Sequence, residues 1–220
     1  MLTFSQVKKN PQVLEFIHQT EIALGALGYG EHGLRHSRLV ADRARNIAKE
    51  TGLTKRQQEL SAIAGFCHDM GNFLGRTQHH YWGAFLFHEI FFNEDPVDVS
   101  VVMQAIANHD KSQEMKLTNP VSAVVVIADK SDVHRSRVRI KDIKNIKSDI
   151  HDRVNYAVMD SKVKIDKKKK KILLSLKVDR KIISIMEYFE IFIERMAYCR
   201  RAAKFLGYKF SIVINKIDLL

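Results

Sequence analysis

Three prolines occur in the 220-residue chain, and each follows an Asx residue: Asn10-Pro11, Asp95-Pro96 and Asn119-Pro120. Proline has no N–H and a fixed φ, which suits the first helical position, while a preceding Asn or Asp can cap the free amides behind it. These pairs predict helices over roughly 11–26, 96–108 and 120–134. Hydrophobic spacing alone predicts further helices over roughly 35–50, 54–70 and 80–92. In the 54–70 segment Leu60, Ile63, Ala64 and Cys67 form one stripe, with Gly71 expected as its stop. The β-branched "VSAVVVIADK" would suit a strand, but its Asn-Pro start and helical neighbours favour a buried helix.

The period changes near residue 160. "KVKID" and "KILLSLKV" alternate apolar and polar residues around the lysine run Lys167–Lys171, which predicts a β-hairpin with the lysines at its solvated tip. A long amphipathic helix follows, with Gly207 at its end, and "KFSIVIN" alternates again as a strand able to pair with the hairpin. The fold class expected is therefore mainly α. A helical domain spans 1–155, and a small C-terminal α+β appendage of hairpin, long helix and strand spans 160–220.

Apolar residues make up 45% of the chain, enough for a sizeable core. Neither a signal peptide nor a membrane-length apolar run is evident, and Cys67 and Cys199 sit among apolar neighbours as reduced core thiols. A cytoplasmic protein without a membrane partner is expected; a homo-oligomer is compatible with the sequence. The net charge of +11 favours anionic partners such as nucleotides, other phosphate carriers or nucleic acid. Aromatic residues are not interleaved with basic ones, so no motif supports nucleic-acid binding.

The chemistry-bearing residues are histidines and aspartates. His36 shares a helix face with Val40, Ala44 and Ile47, so it points inward. His68-Asp69 closes the 54–70 helix, His109-Asp110 closes another, and Asp129 follows "VVVIA". Several helices thus each deliver ligands near the end of a buried face, which is how a helical bundle builds a metal site. A His/Asp set without thiolate suits Fe, Mn, Zn or Mg, and suits catalysis more than structure. A third pair, His151-Asp152, lies in a mixed-charge segment and is expected to stand outside the site, as are His18 and His88.

The local forms "RHSRLVADRA", "FCHDMGN" and "VIADKSD", in that order, resemble the H…HD…D signature of HD-domain metal-dependent phosphohydrolases over roughly residues 30–135. The longer "HDMGNFLGRTQHHYWGA" and "ADKSDVHRSRV" are similar to a bacterial family of uncharacterised HD-domain proteins. The resemblance implies an HD-domain helical bundle with His36, His68, Asp69 and Asp129 as primary metal ligands. It gives His68 and Asp69 the central catalytic place, with Asp69 bridging if two ions bind, and adds His79 and His109 as the extra histidines of two-metal members. His79 is preferred to His80 because it lies four residues before Gly83, as in the family's H-x-x-x-G-A pattern. Nothing after His109 resembles G-Y-P, so the cyclic-di-nucleotide branch is not expected.

The implied activity is hydrolysis of a nucleotide or other small phosphate ester by a metal-activated water, with one or two ions per chain, Fe or Mn before Zn or Mg. Arg76, Lys130, Arg135 and Arg137 are the phosphate-binding candidates, and His32, His80 and Asp110 are expected around the ligands. The alternative is a non-catalytic scaffold that retains metal and holds a nucleic-acid or protein partner.

Overall fold

The computed structural model describes residues 1–110, 116–139 and 149–219. A short α1 (Phe4–Val7) is closed by a capping box between Thr3 and Gln6. At all three Asx-Pro pairs a helix opens as expected, with the Asx side chain accepting backbone amides: α2 (Pro11–Ala26), α6 (Pro96–Asn108) and α7 (Pro120–Lys130). Between them run α3 (Leu34–Glu50), α4 (Lys55–Cys67) and α5 (His79–Phe91).

Helix α7 sits at the centre, packed by α3, α4 and α6. Every residue from Val121 to Ala128 is buried, which is why this segment reads as apolar on all sides rather than as a stripe. It ends at Lys130, four residues short of the span expected, because Asp132 leaves the helix to bind side chains of α3. Gly71 is not a helix stop: α4 has ended at Cys67 and the φ of Gly71 is −85°. Its lack of a side chain serves close packing instead. A Cβ there would overlap the His79 carbonyl oxygen and the Gly83 amide nitrogen of α5.

Beyond the bundle, α8 (Ile150–Ala157) runs directly into β1 (Val158–Asp166). This helix was not anticipated from the sequence. The lysine run forms the turn between β1 and β2 (Lys171–Val178), as expected, with Lys167 reaching Glu50 at 2.9 Å. Helix α9 (Ile185–Phe205) follows, opened by a Ser184–Glu187 capping box and ended at Gly207 with φ 78°. Strand β3 (Lys209–Ile214) pairs parallel with β2, and β4 (Ile217–Asp218) completes the order β1-β2-β3-β4. The parallel pairing requires α9 to cross over, and its buried face (Phe192, Met196, Tyr198, Cys199, Ala202) packs on α7. The sheet and the bundle therefore share one continuous apolar core. Cys67 and Cys199 are buried and unpaired, and burial pushes the Cys199 thiol up to about 12. No helix of the described residues is long and apolar enough to cross a membrane.

Candidate metal centre

Each candidate ligand stands at the end of an element whose buried face leads into the bundle. His36 lies in the first turn of α3, and its neighbours Val40, Ala44 and Ile47 are fully buried. His68 is the C-cap of α4 and Asp69 lies in the turn beyond, where Thr20 donates its hydroxyl to the Asp69 and Met70 carbonyls. His79 opens α5, His109 caps α6, and Asp129 is the last residue but one of α7. Five helices and one turn thus place six side chains at one point.

Their distances divide them into two sets. His36 Nε2 and His68 Nε2 are 3.2 Å apart; they lie 3.5 and 3.3 Å from Asp69 Oδ2, and 3.3 and 3.5 Å from Asp129 Oδ1. His79 Nε2 and His109 Nε2 are 3.1 Å apart and lie 3.4 and 3.5 Å from Asp69 Oδ1. Asp69 gives one oxygen to each set.

The outward nitrogens are committed elsewhere. Nδ1 of His68, His79 and His109 contacts the carbonyls of Gly65, Arg76 and Ile106 at 2.8, 2.9 and 2.6 Å, so each carries a proton there. His36 Nδ1 lies 2.7 Å from Asp132 Oδ2 and 2.8 Å from an Arg137 nitrogen. A carboxylate can only accept, so the shorter contact puts the proton on His36 Nδ1, and Arg137 donates to Asp132 at 3.2 Å. In the neutral rings all four Nε2 lone pairs then face inward in like-with-like pairs. Lone pairs so arranged, with the buried carboxylate of Asp69, the partly buried one of Asp129 and no thiolate in the set, fit a hard or borderline cation. Without one, burial opposes charge on His68 but Asp69 and Asp129 push it up to about 10, whereas burial takes His109 down to about 4. Burial opposes the carboxylate of Asp69, yet His68 and the bonds from its neighbours hold it well below the usual range.

Residues 33–134 match the family model described as the HD domain, a span that contains all six side chains and Asp132. This segment is an HD domain. The superfamily is one of metal-dependent phosphohydrolases, and the buried His and Asp clusters are compatible with divalent-metal binding. The chain is also similar to an uncharacterised protein of Methanocaldococcus jannaschii, 26% identical over 163 residues that cover 63% of this chain. It spans 62% of that relative's length.

Around the ligands the HD domain carries a basic rim. Arg76 bonds Asn72 at 2.8 Å and lies over the Tyr29 ring, and Asn72 in turn donates to Asp69 Oδ1 at 2.9 Å. Lys130 is 2.7 Å from Asp129 Oδ2 and 3.4 Å from Asp110; burial opposes its charge, but those two carboxylates raise its pKa. Arg137 bonds Asp132 and His32 Nε2, the latter at 2.8 Å. Burial and Arg137 hold His32 well below its ordinary pKa, so it is a neutral acceptor that orients Arg137. His80 is buried beside His79, with ring centres 5.5 Å apart, and Asp110 Oδ2 lies 3.8 Å from His79 Nδ1.

Two expectations fail. Arg135 lies over the Tyr156 ring and lines neither cavity beside the centre. His151-Asp152, expected outside the site, lines the larger of those cavities, because α8 folds back over it. Three contributors were not anticipated from the sequence. Asn72 and Asp132 each stand three residues after a carboxylate ligand (Asp69 and Asp129), a spacing that could have signalled both. Arg195 comes from α9 and lines both cavities; only the docking of that helix on α7 brings it there.

Proposed function

We propose that the protein is a metal-dependent phosphohydrolase, a phosphomonoesterase or phosphodiesterase, acting on a nucleotide or other small phosphate ester. The observation that carries this reading is the sharing of Asp69 between two histidine pairs, an arrangement suited to two ions held side by side. Fe or Mn, with Zn or Mg as alternatives, would when bound activate a water and neutralise phosphoryl charge. The chain's own groups supply the rest. Asp69, Asp129 and the four Nε2 atoms would hold the ions, and the four Nδ1–H bonds fix each ring with its Nε2 inward. A gap of about 30 Å³ between Asp69, His109, Asp129 and Lys130 has room for about one water. Arg76, Arg137 and Arg195 border it and supply planar donors for a phosphate, while Lys130 adds a point charge. Among the described residues no carboxylate pairs with Arg195, which leaves its guanidinium for a ligand.

The test is metal content and turnover on a panel of phosphate mono- and diesters with Mn²⁺ or Fe²⁺ supplied. Wild type should bind metal and hydrolyse at least one ester class, and Asp69→Ala should lose both. Metal retained by wild type with no turnover on any ester would refute the enzyme and favour a metal-holding scaffold.

A further inference from the structure

A cavity of about 280 Å³ shares His32, Arg76, Arg137 and Arg195 with the metal centre and is closed on another side by α8. Along it the character of the wall changes. The shared side is guanidinium, Leu27, Tyr29 and Phe192 also line it, and α8 with its N-cap presents Asp149, His151, Asp152 and Asn155. Asn155 donates its Nδ2 to the His151 carbonyl at 2.9 Å, so the other end of its amide must be the oxygen. That Oδ1 is buried and has no partner among the described residues. Asp149 is occupied in part, since its Oδ1 caps α8 by accepting the Asp152 amide at 3.0 Å. Among the described residues no basic side chain forms an ion pair with the Asp152 carboxylate. Asn155 Oδ1 and the Asp152 carboxylate are thus acceptors in want of donors, while on the shared wall Arg137 is paired with Asp132 and, among the described residues, Arg76 and Arg195 pair with no carboxylate.

We infer that this cavity selects phosphate esters whose organic part carries hydrogen-bond donors, as hydroxyls or as an ammonium group, at the end remote from the phosphate, and that Asp152 and Asn155 are the residues that set this specificity. The inference rests on the phosphohydrolase reading for the end at which the phosphate sits. Burial and the nearby Asp149 raise the pKa of Asp152, and a bound donor would offset both effects. An analogue without donors would leave Asn155 Oδ1 unpaired, which is how a polar site rejects an apolar isostere.

The test is calorimetric titration of the metal-loaded full chain with two matched pairs of probes. One pair is adenosine 5′-monophosphate against its 2′,3′-dideoxy counterpart, and the other is 2-aminoethyl phosphate against ethyl phosphate. Wild type should bind the donor-bearing member of at least one pair about tenfold more tightly or better. The pair that shows it tells hydroxyl from ammonium. In Asp152→Asn and Asn155→Leu that ratio should fall below about threefold, with melting temperatures establishing that both variants fold. Equal affinities within both pairs in wild type, or an undiminished ratio in both folded variants, would overturn the inference. Hydrolysis is followed on the same probes and on the wider ester panel. A binding preference without any hydrolysis would refute the phosphohydrolase reading alone.

Discussion

Asp132 offers the sharpest test of how the centre is organised. Three of the four ring orientations depend on backbone carbonyls, which mutation cannot remove; only His36 is held by a side chain, through the 2.7 Å bond from its Nδ1 to Asp132. Loss of an outer carboxylate of this kind typically weakens metal binding about 10- to 100-fold, or about 1.4–2.7 kcal/mol. The surroundings decide where in that range each variant falls. In Asp132→Asn the carboxamide oxygen can still accept the Nδ1 proton, which places the loss near tenfold. In Asp132→Ala the ring loses its acceptor and keeps beside Nδ1 only Arg137, at 2.8 Å, which can only donate and so favours the tautomer with its proton on Nε2, while Arg35 retains Glu31 at 2.6 Å; the loss should approach 100-fold. Asp132 touches no other ligand histidine, so the weakening should be confined to the set of His36, His68, Asp69 Oδ2 and Asp129. Calorimetric titration of metal-free protein with Mn²⁺ would resolve it, with thermal melting as the control for folding. Equal weakening of both sets, or unchanged binding in a folded Asp132→Ala, would refute the reasoning.

His79→Ala should lower metal content from about two ions per chain to about one by elemental analysis, since it removes half of the second histidine pair; two ions in both proteins would contradict the two-set reading. With His68 pushed up to about 10 in the absence of metal, a cation must displace a proton from a nitrogen it needs. Apparent metal affinity should therefore rise with pH, by up to about tenfold per unit from about pH 7 towards 10, and an affinity flat between about pH 7 and 9 would exclude that proton. Gly71→Ala should cost about 3 kcal/mol or more in thermal unfolding, because the new methyl group meets backbone that cannot rotate away; a melting temperature within a degree or two of wild type would show that α5 can move.

Much of the bundle is legible because its helices start at local signals. Asn10, Asp95 and Asn119 cap their helices through their own side chains, so no distant contact is needed to read them. Five of the six His and Asp residues named from the sequence come together for a related reason: each terminates, or lies on, an apolar face whose direction the period reveals, whereas His79, which opens α5, is named only through the family resemblance. Asp132 is harder to see, since past the end of α7 no period applies and its partners Arg35 and His36 lie almost a hundred residues away. Arg195 is harder again. It lies on an exposed part of α9, and its approach to the centre depends on the parallel β2–β3 pairing, which alternation in single strands cannot specify. The site role of α8 escapes for the converse reason. Its charged residues read as a solvated segment, yet the chain returns to lay that segment against the cavity.

The contact of Gly71 with the start of α5 has a consequence for the spacing of the two ligand sets. His68-Asp69 and His79 are carried by stretches of main chain that meet with no side chain between them. Their gap is a peptide-to-peptide dimension, and it does not change when core residues elsewhere exchange one methyl group for another. The pair of glycines acts as a calliper: the bundle can vary in its packing while the jaws stay at one width, and a substitution that widened them would have to arise at Gly71 or Gly83 themselves.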